Sequence, residues 1–378
     1  MSVVRIGIDA RILAYRRGGI AGYVAHLLPA LAAIDSGIDY WILLNWRDRE
    51  RPKPGPNFRR VITWTPCHHR LERWALGVEA ARLRLDLLHS PDFIPPAFGA
   101  RRFVITVHDL NFLYYPQFLT PESRRYYNQQ IAWAVRRADH ILADSEATRR
   151  DLLRLLDVRP EKVTTVQLAA DPAFCPLPVP EVEGVLAHYK LESGYLLFVG
   201  TLEPRKNLVG LLSAYRLLVD RGETEVPLVV VGGRGWLYED IFAQVQELEL
   251  SDRVRFLHNV PDADLPALYN GAVLLAAPSF YEGFGLPSLE AMACGTPVVV
   301  SDRGSLPEVV GEAGVQVNPD DPEAIAAGLS KVLSDPDRRR RLAEAGLARA
   351  ARFSWERAAR ETLEVYRRVL GSSGDTGR

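Results

Sequence analysis

Short apolar segments alternate with amphipathic segments along nearly the whole chain, and this alternation limits the fold more than any other feature. The first half contains strand-like runs such as VVRIGID, YWILLN and RFVITVHD, and the second half contains YLLFVG, PLVVVGG and TPVVVSD. Helical stretches such as EATRRDLLRLLD and NLVGLLSAYRLLVD separate several of them. Because strands that alternate with helices form parallel sheets covered on both faces, the pattern predicts an α/β fold.

The alternation occurs twice, on either side of a proline-rich segment. DPAFCPLPVPEVEG, residues 171–184, contains four prolines and little periodicity, which is typical of an interdomain linker. We therefore predict two doubly wound domains, residues 1–175 and 176–355, that face a central cleft. The functional loops should follow the strands, because ligands of open α/β sheets bind beyond the carboxyl ends of the strands. The tail at 371–378 is predicted to be disordered.

Charge excludes one class of partner and leaves another open. The 378 residues carry a net charge of −1, which gives no argument for nucleic acid. Residues 1–175 hold 25 Lys and Arg against 18 Asp and Glu, or +7, and the remaining residues carry −8. The basic half suits an anionic partner such as a membrane surface, or it is a solvated Arg-rich surface.

Cysteine usage and hydropathy indicate the compartment. The three cysteines lack disulfide or metal spacing, which fits a reducing cytosol. We expect no signal peptide in MSVVRIGIDARIL, and no apolar run approaches the ~20 residues that a membrane span needs. The predicted location is therefore cytoplasmic, with peripheral contact at the inner membrane face as the alternative that the basic half leaves open.

One stretch in the second half carries the most specific chemistry. In SFYEGFGLPSLEAMACGTPVVVSD, residues 279–302, Gly283 and Gly285 allow close approach of a ligand to the backbone. The N–H groups of residues 284–286 should open a helix with Pro287 in its first turn, which favours a phosphate. Glu282 at the loop mouth and Glu290 one turn inside the helix can accept hydrogen bonds from sugar hydroxyls. The set suits a sugar nucleotide.

Three further loops follow predicted strands. In FVGTLEPRKNL, Arg205 and Lys206 precede a helix that begins near Asn207, and two cations there can neutralise a diphosphate. Gly18 and Gly19 precede a helix after the first strand, although this pattern alone also fits a turn. In VITVHD, His108 stands at the end of a predicted strand, and Asp109 could orient it through a hydrogen bond.

The stretch EGFGLPSLEAMACGTPV, residues 282–298, resembles the Glu-x7-Glu motif of the family 4 retaining, nucleotide-sugar-dependent glycosyltransferases. With the other loops, the resemblance covers about residues 3–370. It implies two Rossmann-like domains in the glycosyltransferase B arrangement, mannosyltransferase-like activity and a C-terminal helix at 356–370 that crosses back to the first domain. The family loop usually has an arginine directly after its glycine; this chain has Thr201 there, and we expect Arg205 to replace it.

The resemblance assigns roles residue by residue. It implies that Glu282 contacts the donor sugar, Glu290 the ribose, Arg205 and Lys206 the leaving diphosphate, and His108 the sugar near the acceptor. The implied donor-binding residues are Gly18, Gly19, Thr201, Arg234, Asn259, Val260, Gly283, Phe284, Gly285, Leu286 and Glu290.

Cofactors and partners follow from the same resemblance. We expect no cofactor and no metal: side-chain cations and helix dipoles replace the metal, and Asp264 of the DAD sequence is predicted to cap a helix. The expected partners are a nucleotide sugar and a glycan or lipid-linked acceptor. The basic, aromatic segments RLERWALGVEAARL and YYPQFLTPESRRYYNQQ could meet the acceptor or a membrane, or be packed helices.

The favoured donor is GDP-mannose or a related GDP-sugar, because GTLEPRKN resembles family members that build surface polysaccharides. A UDP-sugar donor and an inactive nucleotide-sugar-binding scaffold stay open. The two-glutamate loop argues against a 2-epimerase, the lack of an evident cofactor lysine argues against a phosphorylase, and the lack of a dinucleotide fingerprint argues against a nicotinamide dehydrogenase.

Overall fold

The computed structural model describes residues 4–15, 18–51, 53–119 and 121–371. Except for residue 371, the predicted disordered tail lies outside these residues. No helix in the described part of the chain is both long and apolar enough to cross a bilayer.

The chain divides into two compact units. The first consists of Met1–Leu113, Pro121–Leu168 and Ser354–Arg378, and the second of Tyr114–Thr120 and Ala169–Phe353. The short segment Tyr114–Thr120 of the first half of the sequence therefore belongs to the second unit. The last helix of the chain belongs to the first unit.

The first unit is built on a parallel sheet of seven strands in the order β3-β2-β1-β4-β5-β6-β7. In register, Ile6 of β1 pairs with Tyr40 of β2 on one side and Leu87 of β4 on the other. Its strands are β1 Arg5–Asp9, β2 Asp39–Asn45, β3 Phe58–Thr63, β4 Leu85–Ser90, β5 Ala100–Val107, β6 His140–Ala143 and β7 Val163–Thr165.

The second unit contains a parallel sheet of six strands in the order β10-β9-β8-β11-β12-β13. Both sheets reverse their strand order beside their first strand, as doubly wound sheets do. The strands are β8 Tyr195–Val199, β9 Leu228–Val231, β10 Val254–Leu257, β11 Ala272–Ala277, β12 Val298–Ser301 and β13 Val315–Val317.

Helices connect most successive strands in both units, although residues 91–99 between β4 and β5 form no helix, and all strand pairs are parallel. The α-helices are α1 Gly19–Ile34, α2 Glu72–Ala81, α3 Asn111–Tyr114, α4 Pro121–Arg137, α5 Glu146–Leu156, α6 Val179–His188, α7 Leu208–Asp220, α8 Glu239–Glu247, α9 Leu265–Asn270, α10 Leu286–Ala293, α11 Leu306–Val310, α12 Pro322–Leu333, α13 Pro336–Ala350 and α14 Trp355–Gly371. The α/β fold predicted from the alternation is confirmed.

Continuous apolar runs form the central strands because helices cover both faces of each sheet. All four residues of β6, of β9 and of β12 are buried. The core of the second unit joins β9 and β12 to α7 and α12, which pack against each other.

Helix α14 packs against α1 in the first unit. Its buried face includes Trp355 and Tyr366, and the Tyr366 hydroxyl lies 2.6 Å from His89 Nδ1. The chain therefore returns to the first sheet after completing the second.

The proline-rich segment 171–184 is not wholly irregular. Helix α6 begins at Val179 within it, with Pro180 in the first turn, where the missing N–H has no helical partner to lose.

Backbone approaches closely at the carboxyl edge of the second sheet. A Cβ atom on Gly232, directly after β9, would lie 1.9 Å from the carbonyl oxygen of Gly200, which follows β8. A Cβ on the neighbouring Gly233 would meet no atom within 4 Å. Only the first of these two glycines is required by packing.

We therefore expect Gly232→Ala to lower the melting temperature by roughly 6–12 °C, which corresponds to about 3 kcal/mol of overpacking in a unit of this size. Gly233→Ala is the matched control and should melt within about 2 °C of the wild type. Equal melting of the two variants, measured by differential scanning calorimetry, would contradict the close approach.

Candidate active site

The loop after β11 and the start of α10 form the centre of the site. Gly285 has φ 93°, and a Cβ there would lie 2.5 Å from Leu306, so only glycine fits. Helix α10 begins at Leu286 with Pro287 in its first turn, as predicted. The loop thereby presents Glu282 to one side and the N-terminus of α10 to the other.

Glu282 is held by three side chains. Its Oε1 accepts hydrogen bonds from Lys206 Nζ at 2.6 Å and Ser279 Oγ at 2.7 Å, and its Oε2 accepts one from Arg205 Nη1 at 2.8 Å. Its own backbone carbonyl accepts from Ser305 Oγ at 2.9 Å. The carboxylate therefore has a fixed orientation, although it lies in a loop.

A second acid completes this cluster. Arg205 Nη2 and Nε donate to Glu203 Oε1 at 2.6 and 3.1 Å, so the guanidinium bridges Glu203 and Glu282. The two cations Arg205 and Lys206 thus face two carboxylates. Glu203 was not predicted from the sequence, although it lies in the loop FVGTLEPRKNL two residues before Arg205.

The charges around Glu282 decide its protonation. Burial alone would raise the pKa of Glu282, but Lys206 and Arg205 lower it to about 2. Glu282 is therefore a carboxylate at neutral pH, able to accept hydrogen bonds but not to donate one.

Glu290 has the opposite environment. Burial raises the pKa of Glu290 to about 7, and the negative charges of Asp171 and Asp262 add to this effect. Its Oε2 accepts a hydrogen bond from the Tyr269 hydroxyl at 2.8 Å. The two glutamates of one motif therefore differ in charge near neutral pH.

A small cavity lies beside this cluster. It extends from the end of β8 to the first turn of α10 and has one cationic and one anionic side chain in its wall. Its lining residues are Phe198, Val199, Lys206, Ala277, Ser279, Glu282, Gly285, Pro287, Ser288 and Leu306.

The remaining predicted donor residues of this unit lie on loops after β8, β9 and β10. Thr201 is exposed, and the next residue, Leu202, forms a bridge with Arg234. The Arg234 guanidinium lies 5.4 Å from the ring centre of Tyr238.

The loop after β10 contains Asn259, which has φ 55°, and Val260. Both follow His258, whose Nδ1 lies 2.9 Å from the Gly232 carbonyl oxygen. Parallel strand order thus brings these loops to the same edge of the sheet.

In the first unit, Gly18 and Gly19 open α1, as predicted. Gly18 is the N-cap, and its carbonyl accepts from Gly22 N at 2.8 Å. A Cβ on either Gly18 or Gly19 would meet nothing within 4 Å. No other atom of the described residues therefore fills the space beside these two glycines.

His108 lies directly after β5, but Asp109 does not orient it. His108 Nδ1 is 2.6 Å from Asp144 Oδ2, and Nε2 is 2.7 Å from the Pro91 carbonyl oxygen. Asp109 instead accepts hydrogen bonds from the backbone and side chain of Asn111. The prediction was wrong because the partner comes from the end of the neighbouring strand β6, which sequence adjacency does not reveal.

Burial would lower the pKa of His108, but Asp144 and then Asp92 raise it to about 9. The imidazole is therefore a cation at neutral pH, and both nitrogens can donate.

A polar cavity also lies in the first unit. Its central group is Arg11, which is 1% exposed and donates to Asp9 and Glu72 at 2.6 Å and to the Thr65 carbonyl at 2.9 Å. Nearby, His68 Nε2 is 2.6 Å from Asp92 Oδ2. The lining residues are Asp9, Arg11, Ile12, Cys67, His68, Glu72, Asp92 and Ile94.

This polar cavity was not predicted from the sequence. Asp9 ends the first strand and Asp92 follows the fourth, so their strand-end positions were the available signal. The partners Arg11 and Glu72 could not be paired from the sequence, because they are 61 residues apart.

Asp264 occupies the N-cap position of α9, but its side chain makes no capping hydrogen bond, so the predicted cap is wrong. Its Oδ2 instead accepts from the Tyr189 hydroxyl at 2.5 Å. Within the described ranges, no group of three or more His, Cys, Asp or Glu side chains could hold a metal ion. Metal independence stays a prediction.

Family models match both halves of the chain. "Glycosyltransferase Family 4" matches residues 17–174 and "Glycosyl transferases group 1" matches residues 188–349. The O-antigen chain mannosyltransferase B of Escherichia coli is 38% identical over 301 residues, which cover 79% of this chain and 78% of that protein. The chain belongs to the family 4 glycosyltransferases. This glycosyltransferase is also 33% identical to the serotype-specific mannosyltransferase WbdA of Escherichia coli over 260 residues. These residues cover 68% of this chain but only 32% of WbdA.

Solved structures agree on the fold. A sucrose-phosphate synthase of Thermosynechococcus elongatus matches 98% of this chain and 100% of that one, with a TM-score of 0.79 and 24% identity. Anabaena HepE in complex with UDP-glucose matches 96% of this chain and 99% of that one, with a TM-score of 0.75 and 18% identity. The glycosyltransferase B fold, with two Rossmann-like parallel-sheet units, is thus confirmed.

The His108–Asp144 pair generates a test that distinguishes the two aspartates. Asp144→Asn should lower the pKa of His108 well below about 9, because burial is then opposed only by the charge of Asp92 and the hydrogen bond to the Pro91 carbonyl. Asp109→Asn should leave the pKa of His108 high. NMR titration of the imidazole measures both, and a large drop in Asp109→Asn would restore Asp109 as the orienting group.

Glu290 generates a prediction about stability and pH. Between about 4.5, its ordinary pKa, and about 7, the folded chain keeps a proton on Glu290 that the unfolded chain has released. This contribution makes the free energy of unfolding fall as pH rises through the window. The free energy of unfolding of Glu290→Gln should therefore rise relative to that of the wild type as the pH is raised from about 4.5 to about 7. Urea unfolding at several pH values measures this difference.

Glu344→Gln, at an exposed position of α13, controls for the loss of one negative charge. If the free energies of unfolding of Glu290→Gln and Glu344→Gln depend on pH in the same way, the raised pKa of Glu290 is wrong.

Proposed function

We propose that this glycosyltransferase moves a hexose, with its anomeric configuration retained, from a nucleoside diphosphate sugar to a hydroxyl of a glycan or lipid-linked acceptor in surface polysaccharide synthesis. The observation that carries the proposal is the Glu282 carboxylate held by Arg205 and Lys206 beside the N-terminus of α10. Such a cluster offers both an acceptor for sugar hydroxyls and cations for a diphosphate.

The donor diphosphate takes over hydrogen bonds from Arg205 and Lys206 when it binds. These cations and the first-turn N–H groups of α10 stabilise the charge that develops as the sugar leaves. Glu282 then has lone pairs available for sugar hydroxyls. In this proposal, Arg205 replaces the arginine that the family places where Thr201 stands.

The chemical step is a substitution on one face of the sugar. The bond from the anomeric carbon to the diphosphate oxygen breaks, and a bond from the acceptor oxygen to that carbon forms. The proton of the acceptor hydroxyl goes to the departing phosphate oxygen. No covalent glycosyl-enzyme intermediate forms in this reaction.

The other residues bind and orient. Glu290 accepts hydrogen bonds from the ribose hydroxyls, and binding should favour its ionised form because a carboxylate is the stronger acceptor. Gly18, Gly19 and the loops with Arg234, Asn259 and Val260 complete the donor contacts. The cationic His108 contacts the donor sugar, and the polar cavity around Arg11 is the candidate acceptor subsite, since its carboxylates suit sugar hydroxyls.

No metal is needed in this proposal, because Arg205, Lys206 and the α10 dipole supply the positive charge. We place the enzyme in the cytoplasm, with peripheral contact at the inner face of the membrane.

A GDP-sugar, in particular GDP-mannose, is the proposed donor. Support comes from the loop GTLEPRKN and from two relatives whose names include mannosyltransferase. A UDP-sugar donor is the second candidate, favoured by the fold of HepE, which was solved with UDP-glucose. The third candidate is an inactive scaffold that binds a nucleotide sugar without turnover.

The test combines binding and turnover without metal. Saturating GDP should raise the melting temperature more than saturating UDP, since a ligand of the native state stabilises it. With GDP-mannose, Lys206→Ala should lose about 10²–10³ in kcat, the usual effect of removing one group that stabilises transition-state charge. Lys331→Ala, at an exposed lysine of α12, is the matched control and should keep wild-type kcat.

Each alternative has its own outcome. A larger shift with UDP would overturn the donor and keep the enzyme class. Nucleotide binding without release of nucleoside diphosphate, for any donor and acceptor tried, would support the scaffold. Equal kcat for Lys206→Ala and Lys331→Ala would remove Lys206 from the mechanism.

A further inference from the structure

A short aromatic segment from the first half of the sequence packs in the second unit. Tyr114, Tyr115 and Phe118 come directly after the first unit's residue Leu113, yet they belong to the second unit. Their sequence, YYPQF, begins the stretch for which the sequence alone did not distinguish acceptor binding, membrane contact and helix packing. We call Tyr114–Phe118 the aromatic strap.

The rings of the aromatic strap pack on Phe280 and Tyr281, the two residues before the first glutamate of the motif. Tyr115 and Phe118 lie parallel with ring centres 5.3 Å apart, and both contact Phe280, at 6.1 and 5.7 Å. The Tyr114 ring stacks on that of Tyr281 at 5.4 Å. Aromatic pairs at these separations attract each other beyond the effect of the area they bury. The strap therefore packs on the loop after β11 directly before its carboxylate.

Hydrogen bonds from two different segments hold the backbone of the same loop. The Tyr115 hydroxyl donates to the Phe280 carbonyl oxygen at 3.3 Å. The Phe280 N–H donates to the Arg205 carbonyl oxygen at 2.9 Å, and Arg205 Nη1 donates to the Tyr281 carbonyl oxygen at 2.8 Å. The peptide units before Glu282 are therefore held both by a cation of the candidate site and by the aromatic strap.

The aromatic strap also contacts a second loop at this edge of the sheet. Trp236, in the loop after β9, donates from Nε1 to the Phe118 carbonyl oxygen at 2.5 Å. The same loop carries Arg234, one of the predicted donor residues. Because both loops leave the same sheet, a segment bonded to both of them restricts the positions that the β11 loop can adopt.

Glu282 depends on such support because glycine, the residue with the greatest backbone freedom, follows it directly. On the downstream side, the N–H and hydroxyl of Ser305 donate to the Glu282 carbonyl oxygen at 3.1 and 2.9 Å. On the upstream side, the support comes from Arg205 and the aromatic strap. In the proposed reaction, Arg205 shifts hydrogen bonds to the donor diphosphate, whereas the contacts of the strap do not involve a group that binds the diphosphate.

We infer that the aromatic strap positions the Glu282 carboxylate for the donor sugar. Tyr115 and Phe118 are then positioning residues that act through Glu282. The proposed ribose acceptor, Glu290, is held separately by the Tyr269 hydroxyl. The inference rests on the proposed function, in which Glu282 accepts hydrogen bonds from sugar hydroxyls. It follows that the strap contributes to the affinity for the sugar part of the donor and not to that for the nucleoside diphosphate.

The test compares the dissociation constants of nucleoside diphosphates and nucleotide sugars, GDP with GDP-mannose and UDP with UDP-glucose, by isothermal titration calorimetry without an acceptor. Tyr115→Phe keeps the ring and removes the hydroxyl, so the Kd of the nucleotide sugar should rise about threefold, as for the loss of one long hydrogen bond. Adding Phe118→Leu should raise this Kd at least about tenfold, because the ring contact with Phe280 is lost as well. The Kd of the nucleoside diphosphate should stay at the wild-type value in both variants.

Two variants control for the loss of a hydroxyl and of a ring. Tyr189→Phe removes a hydroxyl that donates to Asp264 in the second unit. Phe98→Leu removes a partly exposed ring that contacts Trp74 in the first unit. Both variants should bind the nucleoside diphosphate and the nucleotide sugar as the wild type does.

A double-mutant cycle identifies the residue through which the aromatic strap acts. In a Glu282→Ala background, Tyr115→Phe with Phe118→Leu should not raise the Kd of the nucleotide sugar any further, because no carboxylate is left to position. A merely structural role of the strap would weaken binding in both backgrounds.

Three results would overturn the inference. A parallel rise of both dissociation constants would make the aromatic strap a support of the whole second unit, and unchanged binding in the double variant would remove its role. An undiminished effect in the Glu282→Ala background would assign the effect to another group. A wild type that binds no nucleotide sugar would overturn the proposed function together with this inference. A wild type that binds the nucleotide sugar without turnover, and loses that binding as described, would overturn only the proposed activity.

Discussion

In a parallel sheet every strand ends at the same edge, and the site of this glycosyltransferase depends on that constraint. Loops after β8, β9, β10 and β11 meet at one edge of the second sheet because their strands run in the same direction. Arg205 and Glu282 are 77 residues apart in sequence, yet they share a hydrogen bond of 2.8 Å there. The same rule brings His108, after β5, to Asp144, after β6, in the first sheet.

The two glutamates of one short motif show how placement sets chemistry. Both lose solvent, which by itself raises the pKa of a carboxyl group. Glu282 also faces Lys206 and Arg205, and its pKa falls to about 2; Glu290 faces a tyrosine hydroxyl and two distant carboxylates, and its pKa rises to about 7. Eight residues apart, Glu282 is therefore an anion over the whole neutral range, whereas Glu290 titrates near neutrality. Glu282 suits a constant acceptor for sugar hydroxyls, and the strength of Glu290 as an acceptor changes with pH.

Much of the fold and part of the site could be predicted from the chain. Periodicity indicated parallel α/β units because buried strands need helices on both faces, and the glycine and proline of EGFGLP marked the start of α10. The errors concern partners rather than positions. Asp109 and Asp264 were placed at the right strand or helix end, but their side chains bond to Asn111 and Tyr189. Glu203 and the cavity around Arg11 were missed, since a charge in a loop has no visible partner in a sequence.

The sequence by itself determined the two-unit α/β architecture, the turn that Gly285 requires and the residue types at each strand end, because these depend on local periodicity and backbone sterics. Tertiary structure decided which charges face each other, and hence that Arg205 bridges two carboxylates and that Asp144 orients His108. It also decided which apolar residues of α2 are buried and which are exposed. The physical reason is that pairing and burial arise from contacts between distant segments, whose geometry only the folded chain fixes.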